Sequence, residues 1–473
     1  MPLPGISADL TNWSLTERSS CRIVKAQDSE DIAQALDSAR GQGISVIPHG
    51  AGHSFTDAAL NTHGIVIDVT DMRRIISWDP QCGIMQVEPG VTVCDVVRVA
   101  QPDGWWLVVV PSTAEATIGG CVAMNVTGKN AWKCGPFGEH VLSLMMMTAS
   151  GHTLTVSPES DPQLFRAVVG SAGLLGMITS ITLQLRRITS GNVTMRVRPA
   201  SSFSEIVRWF DEEQSADFLE AWVDGFAKGK QLGRGIVTAI HLSAVDERAS
   251  LQLPASNMPR RLEMNLARCA GTLCRPAVQS GIHIANRLIY RWHAQHDQAV
   301  MRTHSLFHST FYPPAAFAAY QAALPGGIES FHTFVPARHA EEIFTEIIRR
   351  SQANSVMPLL CIVKRHRPDP FLLSYQVDGF SLETYYPIVS PHISPLIPQA
   401  AQKLRKMLWE MMHPVIAAGG RFYLAKDDLL THALFRQSIG DAAVDAFLAL
   451  KQHHDPSMLF QSDLFRRVFQ PFP

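Results

Sequence analysis

The chain has 473 residues, of which 46% are hydrophobic and 18% are charged, and its formal net charge is −1. This length predicts about two or three domains, and the apolar content predicts a large buried core rather than long disorder. A net charge near zero argues against a general nucleic-acid-binding protein, because such proteins usually carry a basic excess.

The N-terminus, MPLPGISADL, lacks a basic start followed by an apolar stretch. We therefore expect no secretory signal and a cytoplasmic location. No continuous apolar run approaches the roughly 18 residues that a membrane-spanning helix needs, so no transmembrane segment is expected. The eight cysteines include no CxxC pair, which disfavours zinc ribbons and thioredoxin chemistry.

Short strands and helices alternate over the first 190 residues. DSEDIAQALDSARGQ (28–42) starts with a capping aspartate and carries apolar residues at helical spacing, which predicts a helix. GISVIP, GIVIDVT, CGIMQVEPG and WWLVVVPS are predicted strands, and TVCDVVRVAQPDG is a predicted helix. HVLSLMMMTASGHTLTVS predicts a hairpin that turns at Ser150 and Gly151, followed by a capped helix in DPQLFRAVV and a strand in GMITSITLQLRRI.

Beyond residue 190, the strand-like segments VTMRVRP, FLEAWVDG and GIVTAIHL mix with longer helices, predicted over 203–213, 338–352 and 397–418. Residues 258–291 contain many arginines and one acid, Glu263. An amphipathic basic helix around 278–291 is compatible with peripheral contact to a membrane surface. The sequence favours a solvated helix face or a loop that covers an active site over this membrane contact. From GGRFYLAKDD onward, a strand followed by helices is predicted.

The stretch IPHGAGHSF (47–55) places two glycines and two histidines directly after a predicted strand. A zinc site would need His49 and His53 on one helical face, which Gly50 and Gly52 disfavour, so no metal site is predicted. The GxGxxG pattern of nicotinamide-binding folds is absent, because a polar loop rather than a helix follows. Glycines flanked by backbone N–H groups can instead form an anion-binding nest that suits a pyrophosphate.

Two further glycine-rich segments are also suited to binding a phosphate group. PSTAEATIGGCVAMNVTGKN (111–130) combines hydroxyl side chains, paired glycines and Lys129, which suit hydrogen bonds and charge pairing with phosphate or with a flavin ring edge. GSAGLLGMITSITLQL (170–185) has a glycine at every third position before a strand. The three segments in this order predict a site for a phosphate-bearing cofactor.

These segments together resemble the FAD-binding domain of the vanillyl-alcohol-oxidase flavoproteins, also called the p-cresol-methylhydroxylase (PCMH) type. The resemblance runs through VIPHGAGHSFTD, GIVIDVTDMRRI, VEPGVTVCDV, PSTAEATIGGCVAMNVTGKN, GPFGEHV and DPQLFRAVVGSAGLLGMITSITLQL, and through RFYLAKDDLL and FLALKQHHDPSMLFQSDLFRR near the C-terminus. It implies an α+β fold in which residues 1–195 and 420–473 form a two-part FAD-binding domain. Residues 196–419 would be an inserted cap, or substrate domain, built on an antiparallel sheet.

Two branches of this family share features with the chain. Aldonolactone and alditol oxidases carry, in their GxGHS motif, a histidine bonded to the 8α-methyl carbon of FAD, and His53 matches it. The decaprenylphosphoryl-ribose oxidase branch resembles NVTGKN, GPFGEHV, YLAKD and FHSTFYPP, but usually has arginine at the position of His53 and histidine at that of Thr127. The resemblance therefore implies FAD attached covalently through His53, since a neutral imidazole is a good nucleophile. Thr127, Glu383 and Tyr385 depart from the second branch and disfavour its lipid-linked sugar substrate.

The resemblance also implies two sets of site residues. The catalytic set contains Lys426 and Lys364, which match lysines near the flavin ring and the substrate, and the pocket residues His332, Glu383 and Tyr385. A cation near the ring would stabilise charge on the reduced flavin. The cofactor-binding set is His49, Gly50, Ala51, Gly52, His53, Ser54, Pro111, Ser112, Thr113, Ile118, Gly119, Gly120, Asn125, Thr127, Gly128, Lys129, Gly173, Gly176 and Ile178.

The resemblance implies an FAD-linked oxidase or dehydrogenase. We expect oxidation of a CH–OH group in a sugar, polyol, lactone or related small molecule by hydride transfer to flavin N5, with O₂ as the electron acceptor. The alternative is a flavin dehydrogenase or reductase with another acceptor, acting on a lipid-linked sugar or on a C=C bond. A third interpretation is a binding protein with a degenerate flavin site, which the retained glycines and lysines disfavour.

Overall fold

The computed structural model describes residues 5–252, 259–295, 302–388 and 397–470. Its strands are β1 (Ile6–Thr11), β2 (Arg18–Lys25), β3 (Val46–His49), β4 (Ile65–Asp68), β5 (Ile75–Asp79), β6 (Ile84–Val87), β7 (Trp105–Trp106), β8 (Val141–Met147), β9 (Thr153–Val156), β10 (Met177–Gln184), β11 (Arg186–Arg187), β12 (Asn192–Ala200), β13 (Phe218–Val223), β14 (Gly235–Leu242), β15 (Arg302–Ser305), β16 (Ile328–Pro336), β17 (Leu360–His366), β18 (Gly379–Pro387) and β19 (Arg421–Phe422).

The helices lie between and after these strands. They are α1 (Ser29–Gln42), α2 (Val93–Ala100), α3 (Ile118–Ala123), α4 (Ala131–Cys134), α5 (Pro162–Val168), α6 (Phe203–Glu212), α7 (Arg260–Cys274), α8 (Val278–Gln295), α9 (Leu306–Thr310), α10 (Pro314–Ala323), α11 (Ala337–Ala353), α12 (Ile397–Ala417), α13 (His432–Ile439), α14 (Asp441–His454) and α15 (Asp463–Val468). Within the described residues, no helix combines the length and the apolar character needed to cross a membrane.

The glycine-rich segments belong to the part of the chain that forms two small sheets. The first sheet has the order β1-β2-β4-β3, with parallel pairing of β4 to β2 and to β3. The second sheet is antiparallel and has the order β5-β6-β10-β8-β9. The chain returns to the first sheet near its C-terminus, where the backbone N–H of Val46 donates to the carbonyl of Leu459 at 2.8 Å.

A third sheet of eight antiparallel strands has the order β15-β12-β14-β13-β17-β18-β16-β19. Strands β18 and β16 of this sheet are almost wholly buried, because both of their faces are covered. Helix α11 covers one face with Ile343, Phe344 and Ile347, which recur at helical spacing. The other face bears most of the polar candidate residues.

Local sequence signals explain most of the predicted elements. Helix α1 begins where the side chain of Asp28 accepts hydrogen bonds from two backbone N–H groups, and it ends at Gly43 in the left-handed region with φ 65°. The predicted hairpin is confirmed, since β8 and β9 pair antiparallel around Ser150 and Gly151. The predicted helices over 203–213, 338–352 and 397–418 correspond to α6, α11 and α12.

Two predicted strands are wrong in part. In WWLVVVPS only Trp105 and Trp106 form a strand, and Leu107, Val109 and Val110 are buried in an irregular segment. An apolar run signals burial, but it does not by itself specify strand pairing. RFYLAKDD contributes only the two residues of β19, after which Lys426 lies in a turn whose backbone N–H donates to the carbonyl of Tyr423 at 2.9 Å.

The basic stretch 258–291 folds into helices α7 and α8, with residue 258 outside the described part. Both helices contribute to the lining of a large cavity, through Gly271 and Cys274 in α7 and through Val278 and Ile282 in α8. This placement favours the expectation that the stretch covers a site.

Candidate active site

A cavity of about 950 Å³ lies between the glycine-rich segments and the eight-stranded sheet. This volume is near the upper end of the range of about 300–1,000 Å³ that small-molecule and cofactor sites occupy. The lining is predominantly apolar, with a few polar side chains that converge on one region. Such a combination is typical of a binding site in which few groups set orientation and chemistry.

Close packing of the glycine-rich segments forms one wall of this cavity. A Cβ atom on Gly50 would lie 2.2 Å from the Thr117 hydroxyl oxygen, which caps helix α3. A Cβ atom on Gly173 would lie 2.4 Å from the Pro48 side chain, and Gly173 has a φ of 78°. The three segments therefore meet only because glycine occupies these positions.

The structure brings most of the predicted cofactor-binding residues into the cavity lining. The residues that line it are Gly50, Ala51, Gly52, His53, Ser54, Pro111, Ser112, Thr113, Gly119, Gly120, Thr127, Gly173, Gly176 and Ile178. Those that do not line it are His49, Ile118, Asn125, Gly128 and Lys129.

Two of the residues outside the lining have other contacts. The ammonium of Lys129 forms an ion pair with Glu220 at 2.7 Å, and the side chain of Asn125 accepts a hydrogen bond from the backbone N–H of Gly138 at 3.0 Å. Their assignment to the cofactor stays a prediction from the resemblance, since these contacts supply a structural reason for both residues.

His53 lies in the cavity wall with its ring 4.2 Å from that of Trp13. Burial, and then the positive charges of Lys426 and His49, lower the pKa of His53 to about 4. The imidazole is therefore neutral at pH 7, and its buried Nδ1 has no hydrogen-bond partner among the described residues. A neutral ring with a free nitrogen is the form that acts as a nucleophile or accepts a hydrogen bond.

All five predicted catalytic residues line the cavity. The strand register explains four of them, because His332 of β16 lies opposite Glu383 of β18, and Glu383 lies opposite Ile362 of β17. Lys364 and Tyr385 are each two positions along their strands from this row. Since side chains alternate between the faces of a strand, they share the same face.

The carboxylate of Glu383 is the centre of a charged cluster. Lys426 approaches it at 2.9 Å and Lys364 at 3.5 Å, while the Tyr385 hydroxyl donates a short hydrogen bond to it. Burial alone would raise the pKa of Glu383, but the two lysines hold it well below its usual range. Burial lowers the pKa of Lys426, and Glu383 opposes that shift. With one carboxylate between two ammonium groups, the cluster carries one excess positive charge.

His332 is the member of the site with the fewest contacts. Its side chain is buried, and neither ring nitrogen has a hydrogen-bond partner among the described residues. Burial lowers the pKa of His332 to about 3, with Glu383 opposing the shift, so the ring is neutral at pH 7. Buried polar atoms are normally paired, so two free nitrogens beside a charged cluster indicate a place for a ligand's polar group.

Several lining residues were missed by the sequence analysis. They include Trp13, Phe55, Glu220 and Tyr423, together with residues of helix α10. Glu220 did carry a signal, since it is an acid within the apolar strand FLEAWV. Trp13 had none, because it comes from a segment without a recognisable pattern.

The unpaired polar atoms that line this cavity fit a hydrogen-bonding cofactor such as FAD. Besides His53 and His332, the Thr127 hydroxyl and one oxygen of Glu220 are buried without a partner in the described part of the chain. These orphaned atoms lie in the same lining as the glycine-rich wall. A ligand that spans the cavity would satisfy them.

Comparison with known proteins agrees with this assignment. Residues 21–157 match the family described as FAD binding domain. Decaprenylphosphoryl-β-D-ribose oxidase of Mycolicibacterium smegmatis is 27% identical, and the similarity covers 98% of each chain. D-arabinono-1,4-lactone oxidase of Yarrowia lipolytica is 26% identical over 46% of this chain and 41% of its own length. L-galactono-1,4-lactone dehydrogenase 2 of rice is 29% identical over 39% of this chain and 31% of its own.

The matched domain covers β2 to β9, and it contains two of the three glycine-rich segments in the cavity wall. The whole-length similarity extends to the strands that carry the charged cluster. The chain is therefore an FAD-linked oxidoreductase with a PCMH-type FAD-binding domain.

Proposed function

We propose that the chain oxidises a CH–OH group of a sugar, polyol, lactone or related hydroxylated molecule. The observation that carries this proposal is the cluster of Lys364, Glu383, Tyr385 and Lys426 in a predominantly apolar cavity. Its excess positive charge suits a hydroxyl that loses a proton, because the charge stabilises the developing alkoxide. The names of the relatives, a ribose oxidase and lactone oxidases, support a sugar-related substrate.

The chain's own residues have separate roles in this proposal. Lys426 and Lys364 hold the substrate hydroxyl, and Glu383 fixes both lysines. His332 is neutral and unpartnered, so it accepts the hydroxyl proton directly or through water. FAD, when bound between the glycine-rich wall and the sheet, supplies the two-electron acceptor.

We also propose that residues 196–419 form a cap on a two-part FAD-binding domain made of 1–195 and 420–473. Seven of the eight strands of the large sheet come from within 196–419 or begin just before it, and only β19 follows it. The face of this sheet with His332 and Glu383 is opposite the glycine-rich wall across the cavity. The cap would exclude water from the reacting groups.

The reaction is tested by adding aldonolactones, polyols and pentoses to the purified yellow protein without oxygen. We expect loss of flavin absorbance with at least one of them. Lys426→Met is expected to slow this reduction by about 10²- to 10³-fold, the usual range for loss of one stabilising group. His332→Gln is expected to slow it with little change in flavin binding. The control Lys406→Met alters a lysine outside the cavity lining and leaves the rate unchanged. A flavin that no hydroxylated compound reduces would contradict the proposal.

We further propose that His53 carries a covalent bond to FAD. Its neutral imidazole, free Nδ1 and position in the cavity wall support this attachment. Acid precipitation should leave the flavin on the protein, and mass spectrometry should find the added mass on the peptide that contains His53. After acid precipitation, the His53→Ala protein should release all of its flavin into the supernatant. The His49→Ala protein should keep its flavin bonded to His53. Free flavin in the supernatant of the unmodified protein would contradict the bond.

For the electron acceptor we propose O₂, which the names of two relatives as oxidases support. The rice relative is named a dehydrogenase, and this favours a different acceptor as the second candidate. Stopped-flow mixing of the reduced protein with O₂ or with a quinone separates the two. Slow reaction with O₂ and fast reaction with the quinone would establish the dehydrogenase.

A further inference from the structure

Helices α7 and α8 expose an unusual concentration of large apolar side chains. Of the sixteen large hydrophobic side chains that are exposed in the described residues, seven lie between residues 260 and 295. Single exposed apolar residues are ordinary on protein surfaces, whereas a concentration of them on one segment indicates an interaction surface.

An ordinary surface helix buries its apolar face and exposes its polar face. Helix α8 has the opposite arrangement. Its inner face is held by polar contacts, in which Asn286 donates to the carboxylate of Asp224 at 3.1 Å and the Tyr290 ring lies 4.7 Å from the Arg234 guanidinium. Its outer face carries Ile284 and Leu288, which are about 60% exposed. Since the polar side is anchored to the body, the apolar side faces outward.

Helix α7 shows the same outward apolar stripe. Gly271 packs against α10 so closely that a Cβ atom there would lie 2.0 Å from the Ala319 carbonyl oxygen, which fixes the inner face. Leu262, Leu266 and Leu273 are 50% to 81% exposed. Their spacing of four and seven residues places them on one side of the helix, away from Gly271.

Basic residues accompany these stripes. Residues 260–295 contain six arginines and one acid, Glu263, and thus carry a charge of +5 in a chain whose net charge is −1. Arg260 pairs with Glu115. Arg261, Arg268, Arg287 and Arg291 are exposed. We call these four arginines, with Leu262, Leu266, Leu273, Ile284 and Leu288, the α7–α8 face.

We propose that the α7–α8 face docks on an anionic phospholipid bilayer. Aliphatic stripes with adjacent arginines fit the boundary between acyl chains and negatively charged headgroups, which attracts both features. The two helices are joined at residues 274–278, where Cys274, Ala277 and Val278 line the cavity. Docking would therefore place the cavity lining next to the membrane surface.

The proposal is tested with the full chain and sedimenting vesicles of phosphatidylcholine, with or without an equal amount of phosphatidylglycerol. We expect the protein to sediment with the mixed vesicles and to be released by high salt. Arg287→Gln with Arg291→Gln should weaken this binding about thirtyfold, which corresponds to about 1 kcal/mol for each arginine. Leu266→Ser with Leu288→Ser should weaken it at least about tenfold.

Ile76→Ser is the matched control, because Ile76 is similarly exposed but lies in β5 outside the face. This variant should bind vesicles like the unmodified protein, and flavin absorbance should confirm that all variants are folded. Failure to bind the mixed vesicles would overturn the proposal. So would a stable dimer in solution that Leu266→Ser with Leu288→Ser dissociates, since the face would then belong to a second copy of the chain.

Discussion

Asp427, directly after Lys426, is a fully buried carboxyl group next to the proposed active site. One of its oxygens accepts a hydrogen bond from the backbone N–H of Leu429 at 3.0 Å, and the other has no partner among the described residues. Burial, and then the charge of Asp428, raise the pKa of Asp427 to about 7, with Arg467 opposing the shift. The folded chain therefore holds a proton here that an unfolded chain would release at lower pH.

This proton predicts a pH dependence of stability. Between the ordinary pKa of 3.8 and about 7, the folded state binds more protons than the unfolded state, so the free energy of unfolding decreases as pH rises. The loss from this one group is at most about 4 kcal/mol. Asp427→Asn keeps an oxygen for the Leu429 N–H and cannot ionise, so it should stabilise the protein more at pH 8 than at pH 5.

Thermal unfolding at these two pH values measures the difference. His53 and His332 act in the opposite direction, because their lowered pKa values make the fold less stable as pH falls below about 6.5. Both histidines are present in both proteins, so their effect cancels in the comparison. An Asp427→Asn variant with the same melting-temperature difference at both pH values would show that Asp427 is ionised in the folded state.

At the scale of single elements, the sequence correctly predicted the features that depend on residues close together along the chain. Capping by Asp28, the turn at Ser150 and Gly151, and helical spacing in α11 are local properties, and these predictions are confirmed. The strand predicted in WWLVVVPS failed after Trp106 because strand formation needs a partner, and partners are set by distant parts of the chain. The turn at Lys426 was missed for the same reason, since the short strand before it pairs with the distant β16 and with no other described strand.

Two glycine-to-alanine substitutions, one in the glycine-rich loop before β10 and one in helix α1, are expected to have opposite effects on stability. Gly173→Ala places a Cβ atom 2.4 Å from Pro48 at a φ of 78°, so we expect a loss of about 1–3 kcal/mol and weaker FAD binding. Gly41→Ala is the control within helix α1, where nothing lies within 4 Å of the added atom. It should stabilise the protein by about 0.5 kcal/mol, because alanine favours helix more than glycine does.

Thermal unfolding and flavin titration of both variants give the two readouts. A Gly173→Ala protein with unchanged stability and unchanged flavin affinity would mean that the loop moves away from Pro48 at no cost. The close packing of the three segments would then not explain why glycine is needed there.

At the scale of the whole molecule, site residues could be predicted from the sequence only where they belong to a recognisable motif. The loop residues near His53 and the lysines at 364 and 426 came from recognisable segments, and all of them line the cavity. Trp13, Glu220 and the wall from α10 came from segments that the sequence did not connect to a site. Their placement depends on how the large sheet lies against the glycine-rich wall, which is a tertiary property.

Arg405 of α12 connects parts of the chain that are far apart in sequence. Its guanidinium lies 3.5 Å from Glu17, 3.4 Å from Glu329 of β16, and 3.7 Å from Asp428. Glu329 is fully buried, and burial, together with the nearby Asp428, raises its pKa well above its usual range. Removal of Arg405 would leave this carboxyl group without its cationic partner, which is costly in a buried position.

Arg405→Met should therefore destabilise the chain by about 3 kcal/mol at pH 8, near the lower limit for breaking a buried pair. The loss should become smaller as pH falls, because burial raises the pKa of Glu329 and a protonated carboxyl group needs no counter-charge. Arg349→Met is the control, since Arg349 pairs with Glu346 on the surface of α11 and its loss should change stability by less than about 1 kcal/mol. Equal and small losses in both variants at pH 8 would show that Glu329 is neutral there and that Arg405 does not hold these distant segments together.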